Sequence, residues 1–322
     1  MTNSVNTVLG AIAADKLGVT LLHERLLSVV PGAQYAYDIE FDRAEIYETI
    51  AEKLKAFKLA GGSTVVDSSG MFHGRDLVMY EALARETEVN IIASTGLGPE
   101  ENLGGYFLTP QTNPPTPWPA EKFEDLLYKE FSEGMVRPRL ERRAPAGLAA
   151  VKADKAGISA TEVSLFKGAA RAANKSGAAL SFAFGADPMA DLEQILAEGI
   201  SPERVVVGDL DRRIVVASTI QELASKGVYV AIDNVGNNSS EYLTDSQRVE
   251  IVADLVAAGF ANRVIISSQS TAVAKGHADS PVNFAYVLTK FVPALEAKGL
   301  SQAQIDQILV KNPAALLTLG DN

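Results

Sequence analysis

Short runs of β-branched and other apolar residues recur along the chain, each followed by a longer stretch in which apolar positions return every three or four residues. The short runs fall at residues 19–23, 64–67, 89–93, 148–152, 178–183, 204–209, 228–233 and 263–267. Continuous apolar runs of this length mark strands buried on both faces. The stretches at 43–60, 74–86, 120–134, 160–176, 188–197, 213–226 and 245–258 predict helices. Two more helices are expected at 282–297 and 301–309, with Asn312-Pro-Ala opening another. Alternating strand and helix predict a parallel α/β fold. Eight such units in 322 residues favour a closed (β/α)8 TIM barrel over an open sheet. No interior linker rich in Pro, Gly or Ser divides the pattern, so one barrel domain over residues 1–322 is expected. The proline-dense stretch 109–119 reads as a long loop over the barrel mouth.

A barrel directs attention to the C-terminal ends of its strands, where such folds gather their chemistry. Side chains alternate along a strand, so His23 and Arg25 point the same way. Composition narrows the chemistry. With no cysteine, disulfides, thiolate catalysis and Cys-ligated zinc are excluded. The 40 acidic and 29 basic residues give a formal net charge of -11, with the acidic residues scattered over the chain as on a solvated surface. No Lys/Arg cluster interleaved with aromatics offers a phosphate footprint, so nucleic acid is not an expected partner. No apolar run approaches membrane-spanning length, and the first residues lack a basic segment followed by an apolar one. A cytoplasmic protein acting on a small molecule is the expectation, with homodimerisation left open.

Several stretches carry a resemblance. Residues 6–27, with His23-Glu24-Arg25 at the strand end, are followed by Gly61-Gly-Ser-Thr-Val-Val-Asp67, Gly74-Arg75-Asp76, Ala93-Ser-Thr-Gly-Leu97 and Asp306-Gln-Ile-Leu-Val-Lys-Asn-Pro-Ala314. Together and in this order they resemble the phosphotriesterase family of the amidohydrolase superfamily, over essentially the whole chain. The resemblance implies a barrel whose first strand gives two histidines to a pair of metal ions. The fourth strand gives a carboxylated lysine bridging both metals, the fifth and sixth one histidine each, and the eighth an aspartate.

This chain departs from most of that set. His23 matches the first histidine, but Arg25 stands in place of the second, and a guanidinium offers donors only. On the fourth strand, counting from Ala146-Gly147 puts Ala150 in the lysine position, while counting back from the next helix puts Lys152 close to it. Both face the same way. Ala183 takes the place of the fifth-strand histidine, Asp209 that of the sixth, and Gln269 that of the eighth-strand aspartate. His73 and His277 lie outside these strand ends, where exposed or structural roles are expected. A dinuclear centre that activates water needs several anionic or imidazole ligands, which an alanine and a permanent cation do not supply. No cofactor is therefore expected; if one ion is held, it is a single divalent metal such as zinc through His23 and Asp209.

The replacements form a charge-consistent set. Arg25 and Lys152 bring positive charge, and Asp209, with Asp67 or Asp233, brings the counter-charge. His23 beside Asp209 is a candidate proton-transfer pair, Lys152 a candidate electrophile or base, and Gln269 a candidate donor to an oxyanion. Arg25 suits a ligand carboxylate or a structural ion pair with Asp209. Tyr106, Phe107 and Trp118 are candidates for an apolar wall. The reading leans toward an enzyme: a metal-independent ester or lactone hydrolase, or an acid–base lyase or isomerase on a small carbonyl compound. A ligand-binding homologue without turnover and a mononuclear metal hydrolase are the alternatives.

Overall fold

The strand runs are buried along almost their whole length, as in Val205-Val-Val-Gly208, and this forces them to pair with one another and to be covered by helices. The computed structural model describes residues 3–103, 116–137 and 141–320. Nine strand segments form one curled parallel sheet. Their order around it is Val264–Ile266, Tyr229–Ile232, Val205–Gly208, Ala179–Ala183, Leu148–Lys152, Asn90–Thr95, Thr64–Asp67, Thr20–Val29 and Thr271–Lys275.

The segments at the two ends of that order both belong to the eighth unit, which is broken at residues 267–270. The break is also the seam of the barrel. The Ser267 hydroxyl oxygen accepts from the Leu22 and His23 N–H groups at 2.9 and 3.1 Å, and the Ser270 carbonyl accepts from the Arg25 N–H at 2.9 Å. Closure through a serine hydroxyl completes a (β/α)8 barrel. The sequence places the eighth strand at 263–267; the structure shortens that piece and adds Thr271–Lys275.

Inside the barrel, Leu22, Val66, Ile92, Leu148, Ala179, Val206, Ala231 and Ile265 pack as one layer. An antiparallel hairpin, Ser4–Thr7 with Gly10–Ala13, closes the base. Its Val5 joins that inner layer, the Asn6 amide donates to the Ala146 carbonyl at 3.1 Å, and the Val8 N–H donates to Ile91 at 2.9 Å.

The helices begin where capping chemistry dictates. Ser159 with Glu162 and Thr244 with Gln247 form capping boxes at the helices Ala160–Ser176 and Asp245–Ala257. The expected helix at 74–86 starts only at Leu77, because Asp76 accepts from the Met79 N–H and caps it. The neighbouring Arg75 makes a two-point pair with buried Glu130 at 2.6 and 3.0 Å, tying this loop to the helix Ala120–Ser132. The Gly74-Arg75-Asp76 motif is thus scaffold. Among the described residues, no helix is long and apolar enough to cross a membrane.

Candidate active site

The strand ends surround a cavity of about 490 Å³, lined by His23, Arg25, Lys152, Asp209 and Gln269 among others. All five strand-end candidates therefore face one space, but their pairing differs from the expectation.

His23, near the middle of the long first strand, is 5% exposed and has both ring nitrogens engaged. Its Nδ1 lies 2.7 Å from Asp233 Oδ2, and its Nε2 lies 2.7 Å from Ser181 Oγ. The carboxylate partner of His23 is thus Asp233 and not Asp209. Asp233 follows directly on the seventh strand, Tyr229–Ile232. Its Oδ1 accepts from the Asp209 N–H at 3.0 Å and the Asn234 amide at 3.2 Å. Burial pushes the Asp233 carboxyl up, and the His23 hydrogen bond opposes that shift. Two other donors, the Asp209 N–H and the Asn234 amide, aim at Asp233, which makes it the acceptor and assigns the His23 proton to Nδ1. Nε2 is then free to accept from the Ser181 hydroxyl. Gly208 gives this pair room: a Cβ at that position would stand 3.0 Å from Asp233 Oδ2, a tight contact, and 3.7 Å from the His23 ring.

Asp209 turns away because its backbone is left-handed, φ 60°, at the end of Val205–Gly208. Its Oδ1 accepts from the Gln269 amide at 2.6 Å and from Asn234 at 3.1 Å. Gln269 is left-handed as well, φ 47°. Its Oε1 accepts from Arg25 Nη2 at 3.1 Å. A neutral amide therefore stands between Arg25 and Asp209, where a direct ion pair and an oxyanion donor were among the expectations. What pins Gln269 is Glu24, fully buried on the opposite face of the first strand. Its carboxyl accepts from the Ser268 N–H and hydroxyl and the Ser270 N–H, at 2.7–3.0 Å. Burial pushes Glu24 up to about 8 despite these bonds.

Lys152 is half-buried, and its ammonium makes no hydrogen bond or ion pair among the described residues. Burial and the Arg25 charge push its ammonium down to about 7, with Asp209, Asp67 and Asp233 opposing. The register pairs Ala150 with Ser181 and Lys152 with Ala183, so Lys152 stands one layer above the Ser181 hydroxyl on the adjacent strand. Ala150 lines the cavity too.

The remaining candidates fall as follows. His73 and His277, expected outside the strand ends, both line the cavity. Burial, with Lys152 and Arg25 nearby, pushes His73 down to about 4, and its Nε2 is buried without a hydrogen-bond partner among the described residues. Exposed His277 is hydrogen-bonded to Ser28 and to the Ala278 carbonyl. Trp118 is not among the cavity residues: it packs 5.6 Å from Phe123 on the core side of its helix, with Lys122 over the ring. Asp67 is a structural group, accepting from the Leu26 N–H and the Tyr80 hydroxyl. Tyr106 and Phe107 lie outside the described residues. Ser181 escaped the sequence reading, although it is the polar position of Ala179-Leu-Ser-Phe-Ala183 and shares a face with Ala183 by the strand's period of two.

A closed parallel barrel with its polar cavity at the C-terminal strand ends defines a (β/α)8 TIM-barrel protein. The phosphotriesterase family model matches residues 3–317, and the chain belongs to that family. It is 27% identical over 303 residues to a phosphotriesterase homology protein of Escherichia coli K12, covering 93% of this chain and 98% of that one. It is 26% identical over 356 residues to an N-acetyltaurine hydrolase of Tetraodon nigroviridis, covering 99% of each. A mutant PTE-like lactonase of Deinococcus radiodurans shares the fold with a TM-score of 0.85 at 23% identity, over 98% of this chain and 100% of the other.

The family implies a metal pair, and the donors present do not fit one. Both nitrogens of His23 are taken by Asp233 and Ser181, Arg25 offers only donors, and Ala183 offers nothing. Asp209 is shared between Gln269 and Asn234. Among the described residues, no group of three or more His, Asp or Glu side chains could hold a metal ion. The family's metal site is degenerate in this chain.

Proposed function

We propose that this protein is a metal-independent hydrolase of small esters or lactones, with Ser181 as nucleophile and His23 as general base and acid. The observation that carries the reading is the linear set Ser181–His23–Asp233, with both links at 2.7 Å. A serine, a histidine and a buried carboxylate in this geometry activate the hydroxyl whatever fold holds them. His23 Nε2 takes the Ser181 proton as Oγ attacks the substrate carbonyl, then delivers it to the departing alkoxide. Water attacks the acyl-serine, giving its proton to Nε2, and that proton returns to Ser181 as the acid leaves. Asp233 holds the ring and its tautomer. The negative charge that develops on the carbonyl oxygen faces Lys152, the unpartnered cation one layer above. Ala183, at the level of Lys152, leaves the approach to Ser181 open where the family's histidine would stand. The names of two relatives, a lactonase and an N-acetyltaurine hydrolase, are in keeping with acyl chemistry.

The test is a panel of 4-nitrophenyl esters and small lactones assayed after exhaustive chelation, with phenylmethylsulfonyl fluoride as a covalent probe. Activity should survive chelation, the probe should label Ser181, and Ser181→Ala should lower kcat on the order of 10⁴- to 10⁶-fold. Activity that disappears on chelation and returns with zinc, or full activity in the Ser181→Ala variant, would overturn the reading.

A further inference from the structure

Arg25 is a charged group of the cavity that the acyl chemistry leaves unused. Its guanidinium makes one side-chain hydrogen bond, at 3.1 Å, to the neutral oxygen of Gln269, and takes part in no ion pair among the described residues. The nearest chemistry that would neutralise it, Asp209, is held off by the same Gln269 amide, which donates to Asp209 at 2.6 Å. Keeping that amide in place costs backbone strain at two non-glycine residues, Asp209 and Gln269, both in the left-handed region. It also takes a buried carboxylate, Glu24, to anchor the residues on either side of Gln269. A guanidinium has five N–H donors arranged as a fork, and among the described residues the Arg25 side chain, which lines the cavity, uses one of them. Lys152, a second cation without a partner, lines the same space, and the two repel.

We propose that Arg25 seats a carboxylate of the substrate, so that the ester or lactone hydrolysed at Ser181 is itself an anion, with a free acid group on the side of the mouth formed by the first and eighth strands. This deepens the hydrolase reading and rests on it for the position of the scissile carbonyl. Among the described residues the Arg25 guanidinium meets no carboxylate directly, and its planar fork matches the two oxygens of a carboxylate. Gln269 serves as a positioning residue that orients the fork without cancelling its charge. Replacing it with a carboxylate would close the site internally.

Two measurements separate this inference from the hydrolase reading. In the first, the Ser181→Ala protein is titrated calorimetrically with dicarboxylates from malonate to adipate and with the matching neutral diamides. One chain length should bind, its diamide should not, and Arg25→Gln or Gln269→Glu in that background should weaken binding about ten- to hundred-fold. Arg25→Lys should recover part of the loss, and melting temperature checks that each variant is folded. In the second, wild-type enzyme is assayed with 4-nitrophenyl hemiesters of the same diacids and with 4-nitrophenyl butyrate. The hemiester of the preferred length should show the higher kcat/KM, and Arg25→Gln should erase that preference. Dicarboxylates binding no better than diamides, or a folded Arg25→Gln variant with unchanged affinity, overturns the anion site even if Ser181-dependent hydrolysis is found. Selective dicarboxylate binding in a protein whose activity ignores Ser181→Ala overturns the acyl-serine chemistry and leaves the anion site standing.

Discussion

Two arginines a few strands apart are treated in opposite ways. Arg248 is wholly buried with all three of its nitrogens engaged: Nε donates to Asp211 at 2.6 Å, Nη1 to Asp245 and Nη2 to the Asn237 carbonyl, both at 2.8 Å. Asp211 in turn accepts from the Asn234 N–H and side-chain amide at 3.0 and 2.8 Å. Arg25 borders the cavity with one bond to a neutral amide. A buried guanidinium held by two carboxylates and a carbonyl maintains the fold, because its desolvation is offset by these partners. One left with open donors beside a cavity is a group whose acceptor comes from outside.

The contrast can be broken most directly at Arg248. Arg248→Met should lower the free energy of unfolding in urea by about 3–5 kcal/mol, since Asp211 is left buried without its cation. Loss below about 1 kcal/mol would mean that engagement of all three nitrogens is not what marks a structural arginine here. The clamp beneath Gln269 gives the next effect. Glu24 keeps its proton up to about pH 8 when folded and only to about 4.5 in the unfolded chain, so the native state holds the extra proton between these values. Its contribution to stability therefore falls as pH rises from about 4.5 to about 8, by a few kcal/mol in all. Glu24→Gln should flatten that part of the stability–pH curve measured by thermal melts; an unchanged slope would assign the pH dependence elsewhere.

Lys152 gives a smaller and purely kinetic effect. Its ammonium is charged below about pH 7 and neutral above. If it faces the developing oxyanion, kcat/KM for a neutral ester should carry a limb falling up to about ten-fold per pH unit above 7. Lys152→Met should lack that limb, and a wild-type profile that keeps rising through pH 9 would remove Lys152 from the chemistry. The smallest effect is expected at Arg25 itself: Arg25→Met should change stability by less than about 1 kcal/mol, because only one bond to a neutral group is lost. A cost comparable to that at Arg248 would make Arg25 a structural residue and empty the proposed anion site.

The barrel was legible because burial writes itself into the chain as short apolar runs and longer periodic stretches. The split eighth strand was not: Ser267 and Glu24 act across more than 240 positions, and no local pattern announces a strand closed by a hydroxyl. At the site, a strand's alternation and the barrel's polarity were enough to send His23, Arg25, Lys152, Asp209 and Gln269 toward one mouth. Which carboxylate His23 meets was beyond that logic. It depends on the left-handed turn at Asp209, which swings one carboxylate to Gln269 and leaves Asp233 to the imidazole. Ser181 was hidden for a different reason, being a small polar residue inside an apolar strand, the usual appearance of a core position. Trp118 shows the reverse case, an aromatic expected at the mouth that packs with Phe123 of the helix Ala120–Ser132 that follows it.

The hairpin at the base has a consequence for traffic. With Val5 set into the inner layer and the neighbouring residues bonded to the third and fourth strand regions, the barrel is a vessel with one opening. Reactant, water and both products share that opening. In the proposed cycle on an ester, the alcohol released when the acyl-serine forms would have to pass out before water could arrive at the same carbonyl, so a bulky alcohol would slow the second half of the cycle without touching the first. An added nucleophile small enough to slip past it would compete with water for the acyl group, and the ratio of transfer to hydrolysis would then report how quickly the mouth clears.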